Sequence, residues 1–466
     1  MSFVSGAFLL FLPLTVTAYW LCPAKKRWIM LLAASLVFCL GWDVPCIALL
    51  LVEITAAWIS CLIVEKHKNR YLFALLLALL FLPLAGYKYS GFLLRALSAA
   101  LGSHGADSSL RSYALPVGIS FYTFQAVSCV IDVFRGEEKT ERNWFRFALF
   151  VSFFPQLVAG PIERAGMLMP QLRQEKQFVF DDLCAGTRLV LAGFFQKICA
   201  ADALAPVVDR IFAQSEPDGS LAVLGAVLFA FQIYFDFMGY AAIAMGCARM
   251  MGIRLTRNFR SPYASGSLRD FWRRWHISLS QWFQQYVYRP LGGSRHGLVR
   301  QLLASGTVFV LSGLWHGANW TFVCWGAFHA VCYMAEMLMA HEGRRQRSGR
   351  QSRWGMAYTL PIIVLSWVLF RAESMSHAVV MYRAMLCPWD IQAAWNTLTV
   401  SWPQLLMLII SVAAAFRLEH WAYNDDEKLP QTKYVTVGVI VLIGIAVCWL
   451  AHLNAGMQNT FIYFQF

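Results

Sequence analysis

Apolar positions in this chain fall in long, nearly unbroken runs, unlike the alternating or one-sided patterns of water-soluble strands and helices. Crossing the core of a bilayer takes roughly 17 to 25 consecutive apolar residues. From the N-terminus the runs are Phe3 to Cys22, Trp28 to Gly41, Cys46 to Val64, Tyr71 to Tyr87, Leu115 to Phe134, Phe145 to Ala159 and Leu189 to Leu204. They continue with Leu221 to Met245, Leu302 to Leu314, Trp320 to Met339, Tyr358 to Phe370, Leu405 to Phe416 and Val435 to Leu453. Several are too short to span, which predicts re-entrant or interfacial segments among roughly eleven crossing helices. The expected fold class is an all-α polytopic membrane protein. The first run has neither a basic leader nor a small-residue cleavage site, so it reads as a retained helix and not as a signal peptide.

Composition agrees with this picture. The chain is 58% hydrophobic and only 14% charged, which calls for lipid as the solvent. The longest polar stretches are the loops between runs and the segments Glu163 to Asp182 and Asn258 to Asp270. No separate soluble domain fits, so residues 1–466 read as a single membrane-embedded domain.

The net charge of +13 would suit a nucleic-acid binder if it lay on one soluble face, but the basic residues sit in short loops. Lys25, Lys26 and Arg27 follow the first run, Lys66, Lys68 and Arg70 the third, and Arg135, Lys139 and Arg142 the fifth. A basic second connection each time places those loops in the cytoplasm and the N-terminus outside. The Arg344 to Arg353 loop, with five arginines, is cytoplasmic on the same rule, and the connection from Lys88 to Tyr113 faces outward. The twelve cysteines are scattered singly, with no metal-ligand spacing, and read as small packing residues; neither zinc nor a disulfide framework is expected. The absence of a Walker loop, a GxSxG elbow and HExxH disfavours nucleotide-driven transport, a serine-hydrolase fold and a zinc protease.

Polar and aromatic residues crowd together in two places. In Ser267 to Tyr286, SLRDFWRRWHISLSQWFQQY, Trp272, Trp275, His276, Leu279, Trp282, Phe283 and Tyr286 recur at helical spacing. Arg269, Asp270, Arg273, Arg274, Gln281, Gln284 and Gln285 take the other side. This predicts one amphipathic helix at the interface or along a polar cavity. Ser267 is placed to cap it, with Asp270 approximating a capping box. Ser312 to Trp320, SGLWHGANW, breaks two apolar runs; Gly313 and Gly317 leave backbone room beside His316, and Asn319 is placed to hold the ring or bind substrate. For both histidines a packed side chain satisfied by a local backbone group stands beside a chemical role.

FWRRWHISLSQWFQQYVYRPLGG from Phe271 to Gly293, together with GLWHGANWTFVCWGAFH from Gly313 to His329, resembles the membrane-bound O-acyltransferase family. The likeness is greatest to its bacterial alginate O-acetyltransferase (AlgI) branch. LPVGISFYTFQ from Leu115, AGPIERAG from Ala159, QKICAADALA from Gln196, YFDFMGY from Tyr234, FRAESMSHA from Phe370 and the ending FIYFQF extend the likeness to Phe466.

The resemblance implies a ring of about eleven helices with cavities from both faces meeting at a buried histidine, with the catalytic signatures in residues 258–329. His316 maps onto that histidine and His276 onto the second family histidine. An acetyl donor on the cytoplasmic side, acetyl-coenzyme A, is implied, with no permanently bound cofactor and no metal. So is a hydroxyl or carrier residue on the far side; because no extracytoplasmic domain large enough to acetylate a polymer fits in the chain, a periplasmic acetyltransferase partner in an inner-membrane complex is expected. His316 is the candidate general base, since a neutral imidazole suits proton abstraction at cellular pH; an acetyl-histidine relay stands beside it. His276 or Asn319 would position the donor or stabilise an oxyanion. Trp315, Trp275, Arg273, Arg274 and Arg295 are candidates around the donor, the arginines for coenzyme A phosphates; a solvated interfacial face is the plainer reading of the arginines. Asp202, beside Lys197, is a further candidate, and an ordinary stabilising pair is the alternative.

Gln284 and Gln285 depart from an Arg-Asp pair usual in the family, Arg289 replaces an apolar residue, and Met238 and Ala242 stand where relatives tend to have a serine and an aspartate. Alginate, cellulose and peptidoglycan are the acceptor classes implied. The competing reading is a polysaccharide-export channel or transporter, in which the apolar-run carboxylates Glu53, Asp132, Asp236 and Glu336 would line a path.

Overall fold

The computed structural model describes residues 1–101, 116–158, 160–342, 353–398 and 402–423, together with 438, 441, 442, 444, 445 and 462. The expected run Val435 to Leu453 lies almost wholly outside the described residues, as do Leu115 and all of the arginine-rich loop before Arg353.

Every regular element among the described residues is helical. In chain order they are α1 (Gly6–Leu21), α2 (Arg27–Cys39), α3 (Val44–Lys66), α4 (Arg70–Ala100), α5 (Ile119–Arg135), α6 (Trp144–Ser152), α7 (Phe154–Leu157), α8 (Ala165–Arg173) and α9 (Phe180–Phe194). After a π-helical stretch, Phe195–Ala201, come α10 (Asp202–Phe212), α11 (Gly219–Met250), α12 (Leu268–Arg274), α13 (Ile277–Phe283), α14 (Leu298–His316) and α15 (Trp320–Glu342). The last are α16 (Arg353–Arg371), α17 (Met375–Met385), α18 (Ile391–Leu398) and α19 (Trp402–Tyr423).

Six of the described helices or helical stretches are long and apolar enough to cross a membrane: α3, α4, the continuous stretch from Phe180 to Phe212, α11, α14 and α15. Gly6–Leu21 and Gly355–Arg371 are shorter apolar helices. The chain is a multi-pass membrane protein. Three expectations change. The run from Phe145 is broken into α6 and α7, because the backbone leaves the helical region at Phe153, where ψ is 108°. Helix α4 continues through Lys88 to Ala100, where a connection was expected; its end is rich in leucine and alanine, good helix formers, with Gly91 the one weak position. The amphipathic segment from Ser267 is two short helices, not one.

The chain divides into two compact units, Met1–Thr187 with Ala244–Thr256, and Arg188–Ile243 with Arg257–Phe466. In the first, Phe3, Phe8, Phe38 and Phe154 interlock beside α1 and α2, with Phe3 and Phe8 4.9 Å apart between ring centres. Arg173 holds Glu141 through two nitrogens at 2.6 and 2.9 Å. In the second, α9 and α11 cross where Gly193 and Gly239 meet: a Cβ on Gly193 would lie 2.6 Å from the Gly239 carbonyl oxygen. Close approach of backbones through small residues is how membrane helices gain packing energy where lipid removes the hydrophobic drive.

Candidate active site

The α14–α15 hairpin is built by small residues. Cβ atoms on Gly313 and Gly326 would lie 2.2 Å from the Phe322 carbonyl oxygen and 2.5 Å from that of Phe309. Only hydrogens at these positions let the two backbones touch. The hairpin sets His316 as the last residue of α14, buried and packed against Trp315, Trp325 and Phe370 at ring distances of 5.0, 5.1 and 5.1 Å.

His276 reaches the same place by another route. It stands between α12 and α13 with φ +43°, in the left-handed region. For a non-glycine residue this conformation costs about 1–2 kcal/mol and persists only where surroundings enforce it. The break replaces the single expected helix, and it changes what the aromatic spacing means. Trp275 turns inward onto Phe271, Phe259 and Trp367, with ring distances of 5.5, 5.1 and 5.0 Å. His276 packs edge-on against Phe237 at 4.6 Å. Ser267 does cap α12, its hydroxyl accepting the Asp270 N–H at 3.0 Å. The carboxylate of Glu336, from α15, adds to this cap by accepting the Leu268 and Arg269 N–H groups at 2.7 and 3.2 Å, an arrangement that also suits the positive end of a helix dipole.

His276 and His316 line one cavity of about 320 Å³, with Trp275, Arg269 and Arg273 also on its wall. Trp315 packs against both imidazoles, its ring centre 5.8 Å from that of His276 and 5.0 Å from that of His316. Burial pushes the His276 imidazole down to about 3, so it is neutral at cellular pH and offers one N–H and one lone pair.

Other expected residues fall elsewhere. Arg274 turns to Asp270 at 2.8 Å. Asn319 sits at the start of α15, where its amide donates to the Glu373 carbonyl at 2.9 Å and its oxygen accepts the Thr321 N–H at 3.3 Å; it does not line the cavity. Arg295 is exposed and also off the cavity wall. Asp202 is paired with Lys197 at 2.7 Å, and Lys197 reaches Asp236 at 2.6 Å. Asp236 also accepts the Ile462 N–H at 2.8 Å. Of the carboxylates that an export path would use, Asp236 is thus committed to an ion pair and Glu336 to a helix cap.

Three features were not anticipated from the chain. Arg269 joins Arg273 on the cavity wall, and their spacing of one helical turn is the signal that could have found it. His329, 1% exposed, packs against Trp272 and Trp325 at 4.9 and 4.8 Å. Among the described residues its ring nitrogens have no hydrogen-bond partner. The departures at Gln285 and Arg289 are partners, with the guanidinium donating to the amide oxygen at 2.6 Å, while Gln284 lines the cavity.

Residues 133–370, which hold both histidines and every residue lining the cavity, match the model of the membrane-bound O-acyltransferase family. This chain belongs to that family. Across its full length it is 36% identical to a probable alginate O-acetylase, AlgI, of Pseudomonas putida, which it also covers completely. A peptidoglycan O-acetyltransferase of Helicobacter pylori is 28% identical over 98% of this chain and 95% of its own length. A teichoic acid D-alanyltransferase of Bacillus subtilis is 26% identical over 56% of this chain and 70% of its own. The family and these relatives make the chain an O-acyltransferase, and its buried histidine cavity is the candidate site of membrane-bound O-acyl transfer.

Proposed function

We propose that this O-acyltransferase takes acetyl groups from acetyl-coenzyme A in the cytoplasm and passes them across the bacterial inner membrane. There a periplasmic acetyltransferase partner completes O-acetylation of an extracytoplasmic polysaccharide. Alginate is the acceptor favoured by likeness, with cellulose and peptidoglycan as the other acceptors of the class. In this reading the N-terminus lies outside and the loop from Arg344 to Arg353 in the cytoplasm. The observation that carries the proposal is the meeting of His276 and His316 on one cavity that also holds Arg269 and Arg273.

The chemistry follows from what each group supplies. His316 takes the proton from the attacking hydroxyl, whose oxygen then bonds to the thioester carbonyl carbon. The carbonyl oxygen gains the negative charge, and the neutral His276 imidazole donates its N–H toward it. Collapse breaks the carbon–sulfur bond, and the proton held by His316 passes to the leaving thiolate, so the enzyme returns to its starting state. Arg269 and Arg273 attract the donor's phosphates, for which the guanidinium fork is suited.

The test is thioester cleavage of acetyl-coenzyme A by the purified protein in detergent with its periplasmic partner, comparing wild type with His316→Ala and His276→Ala. Cleavage by wild type and its loss in His316→Ala support the proposal. No cleavage by wild type, or wild-type rates in both variants, would overturn it.

A further inference from the structure

The left-handed turn at His276 needs a cause, because histidine does not adopt it unaided. Among the described residues only two non-glycine positions have positive φ, Ser261 and His276, at +44° and +43°. Both are attached to the segment from Arg257 to Ser261. Where α13 begins, its N-cap residue is His276, and the His276 side chain makes no capping bond. The first N–H groups of a helix have no partner within it and must find one elsewhere. Here Asn258 supplies partners for the first two. Its backbone carbonyl accepts the Ile277 N–H and its side-chain oxygen accepts the Ser278 N–H, each at 3.0 Å. On the other side of the histidine, the Arg274 carbonyl accepts the Arg260 N–H at 3.0 Å. The backbone is therefore clamped on both flanks of residue 276. The imidazole, not being used as the cap, is turned onto the cavity wall.

The clamp is itself anchored. Asn258 is fully buried. Three residues on, the Ser261 N–H and hydroxyl donate to Glu419 of α19 at 2.9 and 3.1 Å. The same buried carboxylate accepts from Arg257 at 3.3 Å and from the Tyr234 hydroxyl at 2.7 Å. A carboxylate with four donors from three residues of the second unit is a rigid post. It holds Ser261 in its strained conformation and fixes the position of Asn258.

We infer that Asn258, anchored through Glu419, is a positioning residue of the acyl transfer: it supplies the external cap that forces the left-handed turn and aims His276. This rests on His276 acting in the reaction. Asn258 touches no reacting atom in this scheme. A preorganised site loses rate when a supporting hydrogen bond is removed, even though the reacting group stays in place.

The test is a double-mutant cycle on the full chain with acetyl-coenzyme A as substrate and thermal unfolding followed in parallel. Asn258→Ala should lower kcat about 30-fold with KM within about twofold, since orientation is lost and donor binding is not. Asn258→Asp keeps the accepting oxygen and should hold kcat within about threefold of wild type. On the His276→Ala background, Asn258→Ala should cost less than about twofold, because the group it aims is gone. Glu419→Gln should fall between Asn258→Ala and wild type. The inference is overturned if Asn258→Ala keeps wild-type kcat, or if it costs as much without His276 as with it. If Asn258→Ala does not unfold cooperatively, Asn258→Leu, which fills the buried space and accepts no hydrogen bond, takes its place under the same expectations. A different failure, His276→Ala at wild-type turnover, would remove His276 from the chemistry altogether, and so is told apart from a failure of the cap alone.

Discussion

The two histidines reach one cavity by contrasting means. His316 ends a long apolar helix, and the turn after it is made by neighbours in sequence: Gly313 and Gly317 before and after, then Trp320 opening α15. His276 stands at a break that nothing in its own helix-like segment announces, held by Asn258 at one flank and by the Arg260–Arg274 bond at the other. Local small residues produce the first placement, and long-range hydrogen bonds produce the second. The first should therefore be robust to changes at a distance, and the second fragile to them.

The sharpest break of that comparison is chemical. His316→Ala should lower kcat about a thousandfold, in the range for loss of a general base, whereas His276→Ala should lose about a hundredfold, as for one oxyanion donor. Turnover of acetyl-coenzyme A by the two purified variants measures the ratio, and equal losses would erase the proposed division of labour. Next in size is Gly313→Ala, whose methyl would sit 2.2 Å from the Phe322 carbonyl oxygen. It should cost about 2–3 kcal/mol by forcing the hairpin apart, read as a lowered thermal midpoint.

A pH comparison isolates the buried ring of His276. Its folded pKa is lowered to about 3 from an ordinary 6.5, so the unfolded chain binds a proton first as pH falls. Stability is full above pH 6.5 and is lost as the pH drops below it toward 3. Relative to His276→Gln, wild type should lose about 2 kcal/mol between pH 7 and pH 5, and parallel unfolding curves for the two proteins would contradict the burial argument. Arg273→Ala should raise KM for the donor about tenfold with little change in kcat, corresponding to about 1.4 kcal/mol of uniform binding. The smallest effect concerns backbone strain. His276→Gly should be more stable than His276→Ala by about 1 kcal/mol, because glycine takes the left-handed conformation without a steric penalty. The reverse order would mean that the turn is unstrained.

Much of the fold was legible in the chain. Long apolar runs dictate helices wherever lipid cannot satisfy backbone groups, and the α14–α15 break around His316 follows from glycine and aromatic placement within nine residues. The cap at Ser267 was also readable, because a capping bond spans only three residues. The division of Ser267 to Tyr286 into two helices was not legible. Its aromatic residues recur at helical spacing, and the period is almost unaltered by one left-handed residue. What interrupts it is an acceptor at Asn258, which composition and periodicity do not register.

Asp202 and Asn319 show the same limit from the other direction. Each is polar and in a telling stretch; the Asp202–Lys197 pair is one of the two readings the chain offered, whereas the bond from Asn319 to the Glu373 carbonyl is not readable from it. Sequence by itself determined that this is a helical membrane protein, its family signatures, and the identity of two buried histidines. The tertiary structure alone decided that both face one cavity, that Arg269 joins them, and that a turn at His276 is enforced from outside. The physical reason is range: hydrophobic runs and small-residue turns act between near neighbours along the chain. Hydrogen bonds that aim a side chain join residues whose proximity exists only after folding.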